Sequence, residues 1–401
     1  MAGSWRIFFS VAKAEFSNGK AALSVFLAGM LAPVVVAGEP QKASVAAVVV
    51  PFTQLGHVPL VQVDAGSRTW NFLVDTGALI SVCRPEFALL TAGTTNASAR
   101  SHLNFVGDNG IPASLPVVTA PLVRLKGRAF VNVPMAVSDL SRLTSSLGIP
   151  LDGLLGFQFF QGCQWTLDYG AGELRLAPTN SAPELTGASQ EYVLRNGTPC
   201  VSVELQGQTM VFMIDSGFSG ALVLPAEKLG LRFTAPAHAG APVQMISGRT
   251  ESRVGRLADG FRLGGLDFIE PTMSTTSPDR YALGALVLDR FAVTFDPARQ
   301  RVRFLPNQTG RVRLPAVRST GIAFDRSVNP WNVLFVFSES AGTVRQIRPG
   351  DRCLRINGEP VSAWSRDRYE NTADQTDVLH LTMAREGDQF EVDVPVYVQV
   401  P

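Results

Sequence analysis

Residues 58–77, VPLVQVDAGSRTWNFLVDTG, recur without a gap as residues 198–217, TPCVSVELQGQTMVFMIDSG, and this duplication constrains the fold more than any other feature of the chain. Pro59 and Pro199 each stand 16 residues before an aspartate (75 − 59 and 215 − 199). In both copies alternating apolar and polar residues flank a Gly-containing turn, Ala65-Gly66 and Gln206-Gly207, which predicts a β-hairpin. Each hairpin runs into Asp-[Thr/Ser]-Gly, where glycine supplies the tight-turn backbone and the acid and hydroxyl can bond the turn's amides. A single such tripeptide is expected by chance roughly 0.2 times in a chain of this length. Two at matched register are not chance. The match resumes downstream, where LLGFQFFQGCQWTLD and ALGALVLDRFAVTFD each place an aspartate 12 residues after a glycine that follows two apolar residues (168 − 156 and 296 − 284). A further strand follows in each, GELRLAP and QRVRFLP, so the chain is expected to hold two related, predominantly β units.

With 401 residues, 46% of them hydrophobic and 17% charged, the chain can bury cores for two or three domains. The formal net charge of +1 and the lack of a basic stripe with interleaved aromatics argue against a nucleic-acid partner. Cys83, Cys163, Cys200 and Cys353 lie far apart without CxxC pairing, and the four histidines are equally scattered. No metal site and no cofactor are expected, and whether any cysteines pair is left open by the spacing. At the N-terminus, Arg6, Lys13 and Lys20 precede an uncharged apolar run over residues 21–37 that ends in Val35-Val36-Ala37. This order predicts a secretory signal over residues 1–37, and so export to the periplasm, the medium or the cell envelope. A membrane anchor and a buried helix are the alternatives; Pro33 counts against both.

Two copies of apolar-apolar-Asp-[Thr/Ser]-Gly, each followed by an apolar-apolar-Gly element (Leu154-Leu155-Gly156 and Ala282-Leu283-Gly284), resemble the pepsin and retropepsin family of aspartic proteases. The segment DSGFSGALVLPAEKLGL also resembles small bacterial members of that group. The resemblance implies an all-β, bilobal fold with pseudo-twofold symmetry, its lobes over residues 48–178 and 190–306, acting on peptide or protein substrates. It implies that Asp75 and Asp215 form a catalytic dyad, that the Thr76 and Ser216 hydroxyls bind the opposing loop's backbone, and that Gly77 and Gly217 let backbone amides approach the carboxylates. Two carboxylates held close together share one proton, with coupled pKa values pushed apart; this family is the standard example. Residues 76–155 contain no Tyr or Trp, so the pepsin-type flap tyrosine is missing and the flap resembles that of retropepsins. Glycine-containing stretches make Gly107, Gly110 and Ile111, and Ile246 and Gly248, the candidate flap tips. Phe218 stands where Ala78 stands in the first copy and is expected to narrow the cleft.

After Pro306 an Arg-rich connector leads to a segment of different character. GIAF, then GTVRQIRPGDRCLRINGEPV and VLHLTMAREGDQFEVDVPVYV, resemble a PDZ domain over residues 317–401. The resemblance implies that Gly321, Ile322, Ala323 and Phe324 form a loop holding the C-terminal carboxylate of a peptide partner. The helix that usually precedes the RPGD turn is short or missing, so an incomplete groove is expected. Together these features point to an exported aspartic endopeptidase whose PDZ-like domain binds or positions substrate. The alternative from another class is a non-catalytic envelope scaffold that binds protein C-termini, and a third is that both Asp loops are structural turns.

Overall fold

The computed structural model describes residues 47–92, 101–106, 112–178, 184–185, 187, 189–240, 242–246, 248–276, 279–336 and 346–401. The N-terminal signal or anchor and the candidate flap tip at Gly107, Gly110 and Ile111 lie outside the described residues. Strands on either side of that tip, Ser101–Val106 and Pro112–Leu125, pair antiparallel with each other. Among the described residues no helix is long and apolar enough to cross a membrane.

Strand dominates, as expected for this pattern. In the first copy, Val58–Ala65 buries Val61, Val63 and Ala65 and exposes Gln62 and Asp64, the period-2 alternation of a strand with one face on a core. It turns through Gly66 (φ 61°) into Arg68–Asp75. In the second copy the turn is Gln206 (φ 52°) and Gly207 (φ 75°) between Thr198–Leu205 and Gln208–Asp215. Two consecutive left-handed residues make this a type I′ turn, whose twist matches that of the strands it joins.

Residues 72–75 pair in parallel with Gly153–Gly156, and residues 213–215 with Ala282–Gly284, so that in both lobes the aspartate sits opposite the glycine of the apolar-apolar-Gly element. Each arrangement is the centre of an eight-stranded sheet. The closing strands Cys163–Asp168 and Phe291–Asp296 then pair antiparallel with each other, joining the lobes through a six-stranded sheet. Thr166 faces Thr294 there, hydroxyl to hydroxyl at 2.9 Å, and Trp165 stacks on Phe295 with ring centroids 4.5 Å apart. Equivalent positions of the two copies meet on the pseudo-twofold axis, and the largest apolar core runs across both lobes.

Phe218 does not narrow a cleft. It is wholly buried in the second lobe beside Val223, Val243 and Ala282, and its ring takes space that side chains at Gly220 and Gly284 would fill. An aromatic residue is accommodated here because both neighbours lack a Cβ.

The third domain carries a sheet of Ile322–Asp325, Trp331–Val336, Arg352–Ile356, Val378–Arg385 and Asp388–Pro395, with a helix at Arg366–Gln375. The Arg-rich connector is part of the body rather than a free linker: Arg311–Arg313 pairs with residues 267–269, and Val312 and Leu314 are buried. Arg256 of the second lobe ties these pieces together, donating to the carbonyls of Glu270, Leu314, Pro315 and the C-terminal Pro401. Against the first lobe, the strand Ile322–Asp325 lies along the helix Ser141–Leu147, and the Arg326 amide donates to the Ser145 carbonyl at 3.2 Å.

Candidate active site

The two Asp loops are built alike. Hydrophobic burial drives each strand into the core, so the loop that follows must satisfy its polar groups internally. Asp75 and Asp215 are fully buried, and Oδ1 of each accepts from the amide two residues on, Gly77 at 2.9 Å and Gly217 at 3.0 Å. The turns close through Ala78 N to Asp75 O and Phe218 N to Asp215 O. The loops are then anchored to the downstream elements by Phe157 N to Ala78 O and Ala285 N to Phe218 O.

The hydroxyls join the loops. Thr76 Oγ1 donates to Ile214 O (2.6 Å) and accepts from Ser216 N (2.9 Å); Ser216 Oγ donates to Val74 O (2.8 Å) and accepts from Thr76 N (3.0 Å). Residues 140 positions apart in the chain thus share a closed ring of four buried bonds.

Each carboxyl group also lies against the other loop's glycine. A Cβ on Gly77 would stand 2.5 Å from Cγ and Oδ1 of Asp215, and one on Gly217 would stand 2.5 Å from Oδ1 of Asp75. Only glycine permits this approach. Gly77→Ala is accordingly expected to force the loops apart, costing about 1–3 kcal/mol from overpacking and at least about 100-fold in any activity that needs both carboxyl groups aligned. Denaturant melts and steady-state rates check both effects, and Gly217→Ala should behave alike.

Burial, then the nearby Asp215 charge, holds the Asp75 carboxyl well above the usual range, against the Gly77 hydrogen bond, the Arg280 charge and the Ala78 hydrogen bond. Arg280 is the site residue that sequence reading missed. Its Nη2 donates to Asp215 Oδ2 at 2.8 Å, with side chains 6% and 0% exposed. The motif offers one signal for it. The position four before the glycine is Arg280 in the second copy and Asp152 in the first, so the repeats differ in charge there. Asp152 pairs with Arg84 and accepts from the Asn71 amide, away from the dyad.

Of the flap candidates within the described residues, Ile246 occupies the connection between Val243–Met245 and Gly248–Thr250, with Gly248 opening the second strand. The hairpin lies against helix Ser141–Leu147 of the opposite lobe, and Ile246 is half-buried on the apolar cluster that holds Leu140, Leu143 and Leu147. In the third domain, the amides of Gly321 and Ile322 donate to Ser319 Oγ and Thr320 Oγ1, and Ile322, Ala323 and Phe324 are buried. Two of the amides in that candidate carboxylate loop are thus bonded within the chain. Among the described residues no cluster of His, Cys, Asp or Glu could hold a metal ion, and all four cysteines are buried thiols.

Comparison with known families matches residues 61–159 to the aspartyl protease family. That stretch contains the first Asp loop and its apolar-apolar-Gly element, and the match supports an aspartyl protease domain there. No curated protein matches the chain.

Proposed function

We propose that the chain is an aspartic endopeptidase whose dyad is Asp75 and Asp215. The observation that carries this reading is the reciprocal geometry of the loops: each aspartyl group is seated on the other loop's glycine while Thr76 and Ser216 latch the two backbones. A structural turn needs none of this cross-lobe satisfaction. Two carboxyl groups so placed hold one proton between them, so one can take a proton from water as its oxygen attacks the peptide carbonyl carbon. The other donates its proton to the carbonyl oxygen. Collapse of the tetrahedral intermediate breaks the C–N bond, with the proton taken from water passing to the leaving amine. The aspartyl protease family match over the first lobe agrees with this chemistry.

For the third domain we place weight on bracing rather than peptide capture. Its candidate carboxylate loop is engaged internally, and its strand Ile322–Asp325 is laid on the first lobe. A second reading, a non-catalytic scaffold exported to the cell envelope, is favoured by the Arg280–Asp215 ion pair, since a cation occupies one side of the dyad. Incubating the purified chain with a diverse peptide library across pH, beside its Asp75→Asn variant, separates the two. Cleavage that the variant lacks supports the endopeptidase; binding of peptides without turnover supports the scaffold.

A further inference from the structure

We propose that Arg280 is a positioning residue that fixes the dyad's division of labour, holding Asp215 as the carboxylate that deprotonates water and leaving the shared proton on Asp75. This inference rests on the endopeptidase reading and adds to it an assignment that a symmetric pair of loops would leave open.

The two aspartates differ in what they meet. Asp215 Oδ1 accepts from Gly217 N and its Oδ2 from the Arg280 guanidinium, so both oxygens receive a donor and one donor is a cation. Asp75 Oδ1 accepts from Gly77 N, while its buried Oδ2 has no hydrogen-bond partner among the described residues. A negative charge on Asp75 would therefore be stranded at Oδ2, whereas the same charge on Asp215 is paired. A hydrogen on Asp75 Oδ2 converts that orphan acceptor into a donor, which is what the carbonyl oxygen of a substrate requires. With Arg280 positive, Asp215 negative and Asp75 neutral, these three buried groups sum to zero charge.

The steps then follow in atoms. Each oxygen of Asp215 keeps a second lone pair, and one of these receives the proton of water while the water oxygen bonds to the carbonyl carbon. The Asp75 proton moves to the carbonyl oxygen. On collapse, the C–N bond breaks, the amine leaves with the proton held by Asp215, and Asp75 recovers its proton from the new hydroxyl. Arg280 acts through Asp215, by keeping that carboxyl group ionised. Tyr169 is also close enough to feel the Asp215 charge. Its phenol is held well above its ordinary range by burial first, then by the charges of Asp289 and Asp215, and so stays neutral throughout. The pseudo-twofold counterpart of Arg280, Asp152, is turned to Arg84 and adds no matching charge.

The test is the pH dependence of kcat/KM for the full chain and for Arg280→Gln and Arg280→Lys. A cation beside a carboxylate lowers its pKa by about 1–3 units, so its removal is expected to move the acid limb upward by that amount in Arg280→Gln. Arg280→Lys, which keeps the charge, should restore the limb toward its parent position. An unmoved limb in an active Gln variant overturns the proposal. So does a Lys variant displaced as far as Gln, because packing rather than charge would then be responsible. A rise in kcat/KM at every pH on losing Arg280 also overturns it, by showing the arginine to be a lock. A second readout does not need turnover: carbon NMR of the parent labelled in aspartate, with the two carboxyl signals assigned from the Asn variants. Asp215 should show the ionised shift at pH values where Asp75 is still protonated; the opposite order overturns the assignment. A parent chain with no Asp75-dependent cleavage sinks the endopeptidase reading alone, since the NMR order still decides the charge pattern.

Discussion

Asp75→Asn and Asp215→Asn are each expected to lower kcat/KM for peptide cleavage by about 10⁴-fold, the upper range for loss of a positioned acid or base. The double variant should be little worse than either single one, because the two groups act as a unit. The stabilities should differ. Asp215→Asn removes the counter-ion of the buried Arg280, and breaking a buried pair by removing one partner costs about 3–5 kcal/mol. Asp75→Asn strands no charge. Because the folded pKa of Asp75 is raised above its unfolded value, the folded chain binds more protons than the unfolded chain between those two values. Stability contributed at this position is present at low pH and lost as pH rises through that window. Asp75→Asn should remove this loss, so its stability relative to the parent improves on going from pH 4 to pH 8. Denaturant melts at the two pH values, read beside the cleavage assay, check the whole pattern. Equal stabilities for the two Asn variants would refute the role given to the Arg280 pair.

Thr76→Val is expected to destabilise the two-lobe body by about 2–6 kcal/mol, from two buried groups left unsatisfied at about 1–3 kcal/mol each. Valine matches threonine in shape but returns neither the donor to Ile214 O nor the acceptor for Ser216 N. These groups sit at the lobe junction and are closed to water, so loss of the latch should also misalign the carboxyl groups and lower activity. Thr76→Ser keeps the hydroxyl and should stay near the parent in both respects. Ser216→Ala should reproduce the Thr76→Val loss, and the double variant should show strong non-additivity, since both hydroxyls belong to one ring of bonds. Parent-like melting of Thr76→Val would show that the lobes are held by the six-stranded sheet alone.

The hairpins, the Asp loops and the apolar-apolar-Gly strands were legible because each rests on short-range chemistry. Alternation of period two marks a strand, Gln206-Gly207 marks a turn, and the ungapped repeat shows that one solution was used twice. Phe218 was misread for lack of its neighbours. The residue count of a loop does not say that Gly220 and Gly284 leave room for a ring behind it. The third domain was expected only from its resemblance to a PDZ domain, which did not mark the helix Arg366–Gln375: apart from Tyr369 and Ala373 that helix is polar, and its N-cap Ser365 accepting from the Arg368 amide is a weak local signal. Its seat on the first lobe, where Arg326 lies over the rings of Trp331 and Tyr369 and its Cβ beside Gly148, involves residues with no pattern in common.

By itself the sequence determined that there are two β units, that each ends a buried strand in an acid, a hydroxyl and a glycine, and that Asp75 and Asp215 are counterparts. Periodicity and turn chemistry operate over a few residues, and duplication makes them visible. Only the tertiary structure decided that the two acids are not equivalent. Arg280 reaches Asp215 across 65 residues of chain, while among the described residues no donor reaches Asp75 Oδ2. The symmetric motif carries no trace of that difference, because a buried charge takes its properties from whichever groups the fold brings beside it.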